Sequence, residues 1–125
     1  MRGIRSGLLA AFVALVAVPA AHAEDASLGQ DWSETGIASY YGKFWQGRRT
    51  ASGERFDNGA LTAAHPWLPF GTRVRVFAEE TGREVVVTIT DRIGTARRVI
   101  DLSQHAAKLL GIIRQGTAEV TLQPE

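Results

Sequence analysis

The chain of 125 residues contains no cysteine. This absence excludes disulfide bonds, catalytic thiols and zinc sites built from thiolates. It also leaves no cysteine to which a lipid could be attached after export. Stability of the folded domain must therefore come from an apolar core, without covalent cross-links.

An excess of charge of one sign is also lacking. The 14 Lys and Arg residues nearly balance the 13 Asp and Glu residues, for a formal net charge of +1. A nucleic-acid partner is not expected, because binding to phosphates requires a clearly basic surface.

Long apolar runs are confined to the N-terminus. Two arginines precede the apolar segment 7–18, and an A-x-A pattern ends at Ala23. This order predicts a secretory signal peptide over residues 1–23. A membrane anchor is the alternative, but Pro19 interrupts the run before the roughly 20 apolar residues that a spanning helix needs. Cleavage would leave an exported protein without a membrane anchor.

The rest of the chain divides into a linker and one domain. Residues 24–35 are polar and show no periodicity, which predicts a flexible linker. Residues 36–125 form the predicted domain, and its clearest strand is Thr72 to Ala78, where valine and arginine alternate. A hairpin turn at 79–83 connects it to the β-branched strand 84–90. Further strands are predicted at 37–41, 60–64, 97–101 and 116–122.

One helix is predicted within the domain. Ser103 is a good N-cap for residues 104–110, and Gly111 supplies the residue at which a helix commonly ends. Residues 43–58 contain Gly and Asn breaks and are predicted to be a loop. Many short strands with one helix indicate a mainly β fold, a small closed barrel in which no sheet edge stays open.

Three titratable residues at strand and loop ends are candidates for chemistry. Asp91 follows the buried strand 84–90, and a carboxylate at such a position is partly withdrawn from water. A structural ion pair with a nearby arginine explains it equally well. Glu54 lies in a turn of small residues, where it could be presented to a ligand or remain a solvated loop acid. His65 follows an apolar run, a setting in which a histidine is more often structural than catalytic.

Aromatic residues flank the same region, and they either stack on sugar rings or fill the barrel core. Metal and cofactor sites are not expected, since the spacing of His65, Glu54 and Asp91 matches no zinc motif. The sequence also lacks a G-x-S-x-G nucleophile motif and a phosphate-binding glycine loop.

Several of these segments resemble, in the right order, the rare lipoprotein A (RlpA) family, over about residues 36–122. The resemblance implies a six-stranded double-psi β-barrel with one short helix, similar to expansins and barwin-like proteins. It is carried by Gly36-Ile37-Ala38-Ser39-Tyr40-Tyr41-Gly42, Thr50-Ala51-Ser52-Gly53-Glu54, Leu61-Thr62-Ala63-Ala64-His65, Leu68-Pro69-Phe70-Gly71-Thr72, Asp91-Arg92 and Ile100-Asp101-Leu102-Ser103 with Ala106-Ala107.

The same resemblance implies a lytic transglycosylase that acts on the glycan strands of peptidoglycan. The catalytic residues of the family fall on Asp91, Glu54 and His65. Asp91 is expected to protonate the leaving oxygen and later take the proton of the muramyl 6-hydroxyl, while Glu54 stabilises developing charge or positions the sugar. The two carboxylates could exchange these roles. His65 is expected to hydrogen-bond one of them, and the predicted substrate-binding residues are Tyr41, Trp45, Ser52 and Arg92.

The sequence departs from the family pattern in two ways. The second acid is often followed by Arg-Gly-Pro, whereas here Arg92-Ile93-Gly94 follows Asp91. Family members are also often lipidated and often carry a C-terminal peptidoglycan-binding domain. This chain has neither the cysteine nor the length for these features, so a soluble, exported catalytic domain is expected here. Two other functions stay open: an expansin-like module that binds polysaccharide without cleavage, and a barwin-like interaction protein or inhibitor.

Overall fold

Six β-strands close into a barrel in the computed structural model, which describes residues 31–94 and 97–125. The barrel belongs to a compact unit of Ser33–Glu125. The predicted signal peptide 1–23 and most of the predicted linker 24–35 lie outside the described residues. The strands are β1 (Glu34–Tyr40), β2 (Thr62–Ala64), β3 (Arg73–Ala78), β4 (Arg83–Asp91), β5 (Ile100–Leu102) and β6 (Ala118–Pro124).

The order around the barrel is β1-β5-β2-β4-β3-β6, and β6 pairs with β1 to close it. Two of the pairs, β1 with β5 and β2 with β4, are parallel, and the others are antiparallel. Parallel neighbours cannot be joined by a tight hairpin, so the chain crosses the barrel between them. Together with the strand register, these crossings place residues that are far apart in the sequence side by side.

The barrel interior is filled by the alternate residues of each strand. In β3, Val74 and Val76 are completely buried, while Arg73 is exposed and Arg75 half-buried, as the alternation of the sequence predicts. In β4 the buried series is Val85, Val87 and Ile89. The closed, mainly β barrel predicted from the sequence is confirmed.

The helix α1 (Gln104–Leu110) is also where it was predicted. The Ser103 side chain accepts a hydrogen bond from the Ala106 amide at its N-terminus, and Gly111 ends it in the left-handed region at φ 80°. Its buried residues Ala106, Ala107 and Leu110 pack towards the barrel. Within the described part of the chain, no helix has the length and apolar content to span a bilayer.

Several element boundaries differ from the predictions. Strand β1 begins at Glu34, so the last two residues of the predicted linker 24–35 pair with β6 and belong to the barrel. The strands predicted at 60–64, 97–101 and 116–122 are observed at Thr62–Ala64, Ile100–Leu102 and Ala118–Pro124. The predicted loop 43–58 contains a short 3-10 helix, Lys43–Trp45.

Candidate active site

A cavity of about 430 Å³ opens where β1, β4 and β5 come together. This volume lies in the range of small-molecule sites. Its aromatic lining is Tyr40, Tyr41, Trp45 and Phe56, and its charged lining is Arg48, Arg49, Asp91, Arg92, Arg98 and Asp101.

The Asp91 carboxylate is held by three donors. The Tyr41 hydroxyl donates to Oδ2 at 2.6 Å, and the main-chain amides of Ala51 and Arg92 donate to Oδ1 at 2.8 and 2.9 Å. An ionised carboxylate offers about four lone-pair sites, and three are used here. One site on Oδ2 remains for a ligand or a proton.

An irregularity in the pairing of β2 with β4 aims Asp91 at the cavity. Ala63 pairs with Ile89, but Ala64 pairs with Asp91, so Thr90 is an extra residue in β4. Without this bulge, Asp91 would continue the buried series of Ile89 and point into the core. The extra residue shifts it to the opposite face, as bulges beside active sites often do.

The turn from Thr50 to Glu54 is fastened onto the end of β4. The Ala51 amide donates a hydrogen bond to the Asp91 carboxylate, and the Ser52 amide donates one to the Thr90 carbonyl at 3.1 Å. Gly53 closes the turn with φ 94°, a conformation that side chains with a Cβ rarely adopt. The glycine therefore allows the turn to present an amide to the carboxylate.

Tyr41 is fixed by its ring and by its hydroxyl. The ring stacks on Phe56 at 4.4 Å between centroids, and Trp45 meets it edge-on at 6.1 Å. Burial raises the pKa of Tyr41 far above its usual value, and the hydrogen bond to Asp91 and the charge of that residue act in the same direction. The phenol therefore stays protonated and serves Asp91 as a donor.

A second carboxylate, Asp101, lines the same cavity. It accepts a hydrogen bond from the Ser39 hydroxyl at 2.5 Å and forms an ion pair with Arg98 at 3.0 Å. Asp101 and Asp91 are both register partners of Ala64, on the two sides of β2. With strands ~4.8 Å apart, their Cα atoms are about 10 Å apart and their side chains project to the same face.

Arginines surround these two acids and contact aromatic rings. The guanidinium of Arg48 lies 4.0 Å from the centre of the Phe44 ring, and that of Arg92 lies 4.1 Å from the Phe70 ring. Such contacts hold a cation in place. The four arginines of the lining outnumber its two aspartates, so the cavity favours an anionic ligand.

Of the predicted site residues, Asp91, Tyr41, Trp45 and Arg92 line this cavity together. Glu54 and Ser52 do not; they line a neighbouring depression together with Thr90. The structure therefore does not bring Glu54 and Asp91 together in one cavity, and the catalytic role of Glu54 stays a prediction.

The His65 side chain is completely buried. Its Nε2 lies 2.9 Å from Glu34 Oε1, and its Nδ1 accepts the main-chain amides of Trp67 and Leu68 at 3.2 and 3.1 Å. The prediction that His65 bonds Glu54 or Asp91 through its side chain is wrong, because Glu34 is the carboxylate it meets. The described residues contain no cluster of three or more groups able to hold a metal ion.

Comparison with known proteins decides the family. The family model described as "Lytic transglycolase", a double-psi β-barrel domain, matches residues 33–122, which is nearly the whole barrel. The chain belongs to the RlpA-type lytic transglycosylase family.

Two relatives illustrate this RlpA membership. The "Probable endolytic peptidoglycan transglycosylase RlpA" of Synechocystis is 57% identical over 88 residues, which are 70% of this chain and 27% of the relative. The "Endolytic peptidoglycan transglycosylase RlpA" of Neisseria meningitidis is 44% identical over 94 residues, which are 74% of this chain and 39% of the relative. The chain thus spans between about a quarter and two-fifths of the length of these curated relatives.

Solved structures share the RlpA barrel. A Streptomyces papain inhibitor superimposes with a TM-score of 0.62 at 26% identity, covering 75% of this chain and 94% of the inhibitor. An expansin of Clavibacter michiganensis gives a TM-score of 0.60 at 21% identity, covering 75% of this chain and 50% of the expansin. At that identity the expansin supports the fold alone.

The sequence predicted no catalytic or binding role for Asp101 and its partners Ser39 and Arg98. Asp101 stands in one of the RlpA motifs, between Ile100 and Leu102, which are both buried. A polar residue between two buried ones in a strand projects to the opposite face. That alternation was the available signal for a second acid beside Asp91.

Proposed function

We propose that this chain is an endolytic lytic transglycosylase that cleaves the MurNAc–GlcNAc bond of peptidoglycan glycan strands. The observation that supports this most is Asp91, held at the cavity by three donors with one lone-pair site open on Oδ2. The names of the RlpA relatives give the reaction class. Action on peptidoglycan implies a periplasmic or secreted location, in agreement with the predicted signal peptide at 1–23.

The proposed reaction uses the muramyl 6-hydroxyl as the nucleophile. The bond from the muramyl C1 to the leaving oxygen breaks, the bond from C1 to O6 forms, and a 1,6-anhydromuramyl end results. The proton lost by O6 balances the proton gained by the leaving oxygen, so neither water nor a cofactor is consumed. A single carboxylate, Asp91, can transfer this proton and return to its starting state.

Other residues take supporting roles in this proposal. Tyr41 stays protonated and orients Asp91. Asp101 provides a second negative charge near the developing oxocarbenium-like centre, and Trp45 offers a ring face or edge to a sugar. Glu54 and Ser52, beyond Thr90, would contact a sugar unit further along the strand. The arginines of the lining fit a glycan that carries carboxylates.

A non-catalytic, expansin-like glycan-binding module is the second candidate. Two observations favour it: Glu54 lies outside the cavity of Asp91, and Ile93 replaces the glycine that often follows Asp-Arg in the family. A binder would still use the aromatic and basic lining.

Mass spectrometry of sacculus digests tests the proposal. Wild-type protein should release fragments with anhydromuramyl ends. The Asp91→Asn variant, which keeps the shape of the side chain but cannot transfer a proton, should be slower by about 10²–10⁴-fold. Pull-down of sacculi without soluble products would favour the binder, and no binding to sacculi would favour an interaction protein. Digestion by Asp91→Asn at the wild-type rate would refute the role given to Asp91.

A further inference from the structure

The buried His65 ring meets the partly exposed Glu34 carboxylate in an ionisable contact that the proposed reaction leaves unused. Main-chain amides can only donate, so the two amides that reach Nδ1 require it to be unprotonated. The ring proton must then sit on Nε2, where it is donated to Glu34 Oε1 at 2.9 Å. The contacts thus select one neutral tautomer of His65.

The electrostatic surroundings agree with a neutral ring. Burial lowers the pKa of His65 below 6.5, and it outweighs the opposing effect of the hydrogen bond and charge of Glu34. The positive charge of Arg92 lowers it further. Because both nitrogens are engaged and the ring is sealed from solvent, neither can exchange a proton with a sugar in the cavity.

The main chain of His65, by contrast, touches the reacting end of β4. Its amide donates to the Asp91 carbonyl at 3.1 Å, and its carbonyl accepts from the Arg92 guanidinium at 3.4 Å. The same guanidinium also contacts the Asp91 carbonyl at 3.3 Å. A shift of His65 would therefore move the peptide unit of Asp91 and the charge of Arg92 together.

We propose that Glu34 and His65 form a positioning pair that fixes Asp91 and Arg92, with His65 acting as a neutral imidazole and not as a proton donor or acceptor towards substrate. This inference rests on the proposed function for its kinetic consequence, but not for its structural content. Glu34 at the start of β1 holds the ring from one side, and the amides of Trp67 and Leu68 hold it from the other.

Nuclear magnetic resonance of the imidazole nitrogens tests the structural content without any need for activity. Spectra of the chain labelled with ¹⁵N, assigned by loss of the signal in His65→Asn, should show an unprotonated Nδ1 and a protonated Nε2 at pH 7. In Glu34→Ala, hydrogen exchange at the His65 amide should become faster. The exposed pair of Glu84 with Arg75 provides the control, since Glu84→Ala should leave that exchange rate unchanged. An imidazolium, the other tautomer, or unchanged exchange in Glu34→Ala would overturn the inference.

Kinetics on isolated glycan strands test the consequence for catalysis. Glu34→Ala should lower kcat by about 10- to 100-fold with little change in KM, because a misplacement of about 1 Å can cost 10²-fold. Glu34→Gln, which keeps an oxygen to accept the Nε2 proton, should restore most of kcat. In His65→Asn the Oδ1 can still accept the two amides, so the pH profile of kcat should keep its wild-type limbs.

The possible results separate the alternatives. Loss of one limb of the pH profile in His65→Asn would mean that His65 moves a proton, which overturns the inference. A lower melting temperature with wild-type kcat in Glu34→Ala would show a purely structural pair, which also overturns it. Absence of anhydromuramyl products from wild-type protein would refute the proposed function alone, and the spectroscopic result would then decide the pair by itself.

Discussion

Deleting one oxygen atom from Tyr41 provides a sharp test of the site. In Tyr41→Phe the hydrogen bond of 2.6 Å to Asp91 Oδ2 is lost, while the ring can keep its stacking on Phe56 and its edge contact with Trp45. The ring is half-buried and packed on two aromatic neighbours, so we expect it to keep its position in the variant. The substitution therefore isolates the donor.

The size of the effect follows from the charge of the acceptor. A hydrogen bond to a charged group contributes roughly 1.5–3 kcal/mol, and about 1.4 kcal/mol corresponds to a factor of ten. If Tyr41 holds Asp91 in its reactive position, kcat on glycan strands should fall by about 10- to 100-fold. KM should change by less than about twofold, because the hydroxyl already has a protein partner and is not needed to bind sugar.

The adjacent Tyr40 provides a matched control. Tyr40 also lines the cavity, but its hydroxyl donates to a neutral acceptor, the Ile113 carbonyl at 2.9 Å, and not to Asp91. Tyr40→Phe should lower the free energy of unfolding by about 1 kcal/mol and leave kcat nearly unchanged. Release of anhydromuramyl fragments, followed by mass spectrometry, measures both variants. Wild-type kcat in Tyr41→Phe, or an equal loss in Tyr40→Phe, would refute the reasoning.

Three other predictions concern the surroundings of the site. Asp101→Asn should lower kcat by about tenfold or more on the same substrate, and an unchanged kcat would leave Asp101 a structural role only. Gly53 and Gly82 both have positive φ and open space at the Cβ position. Gly53→Ala and Gly82→Ala should each lower the free energy of unfolding, measured in urea, by about 1–2 kcal/mol, but only Gly53→Ala should slow catalysis. Because the pKa of His65 is lowered by folding, stability should be full above pH 6.5 and fall on acidification. This slope should be weaker in His65→Asn, and equal slopes would contradict the buried neutral ring.

Local rules of sequence predicted much of the fold. The helix α1 was placed from Ser103 and Gly111, because an N-cap side chain and a left-handed glycine act within a few residues of the elements they end. The alternation of β3 was visible for the same reason. The start of β1 was missed because Glu34 and Thr35 look like linker residues, and only their pairing with β6 makes them a strand.

The candidate site depended on contacts that no local rule reports. Asp91 was predicted as a candidate, but its exit from the core depends on one unpaired residue, Thr90, in the register of β4 against β2. His65 was found as a candidate, yet its partner is Glu34, 31 positions earlier in the chain. Both facts depend on long-range pairing, so no spacing in the sequence encodes them.

The strand register explains why the two acids lie on one face of the barrel. Ser39 of β1 pairs with Asp101 of β5, Asp101 pairs with Ala64 of β2, and Ala64 pairs with Asp91 of β4, so one row of partners runs across four strands. This row depends on the two parallel pairs, because strands joined only by hairpins would not place β5 between β1 and β2. The spacing of the acids is thus a property of the barrel pairing, and the loops that line the cavity set which ligand can reach them.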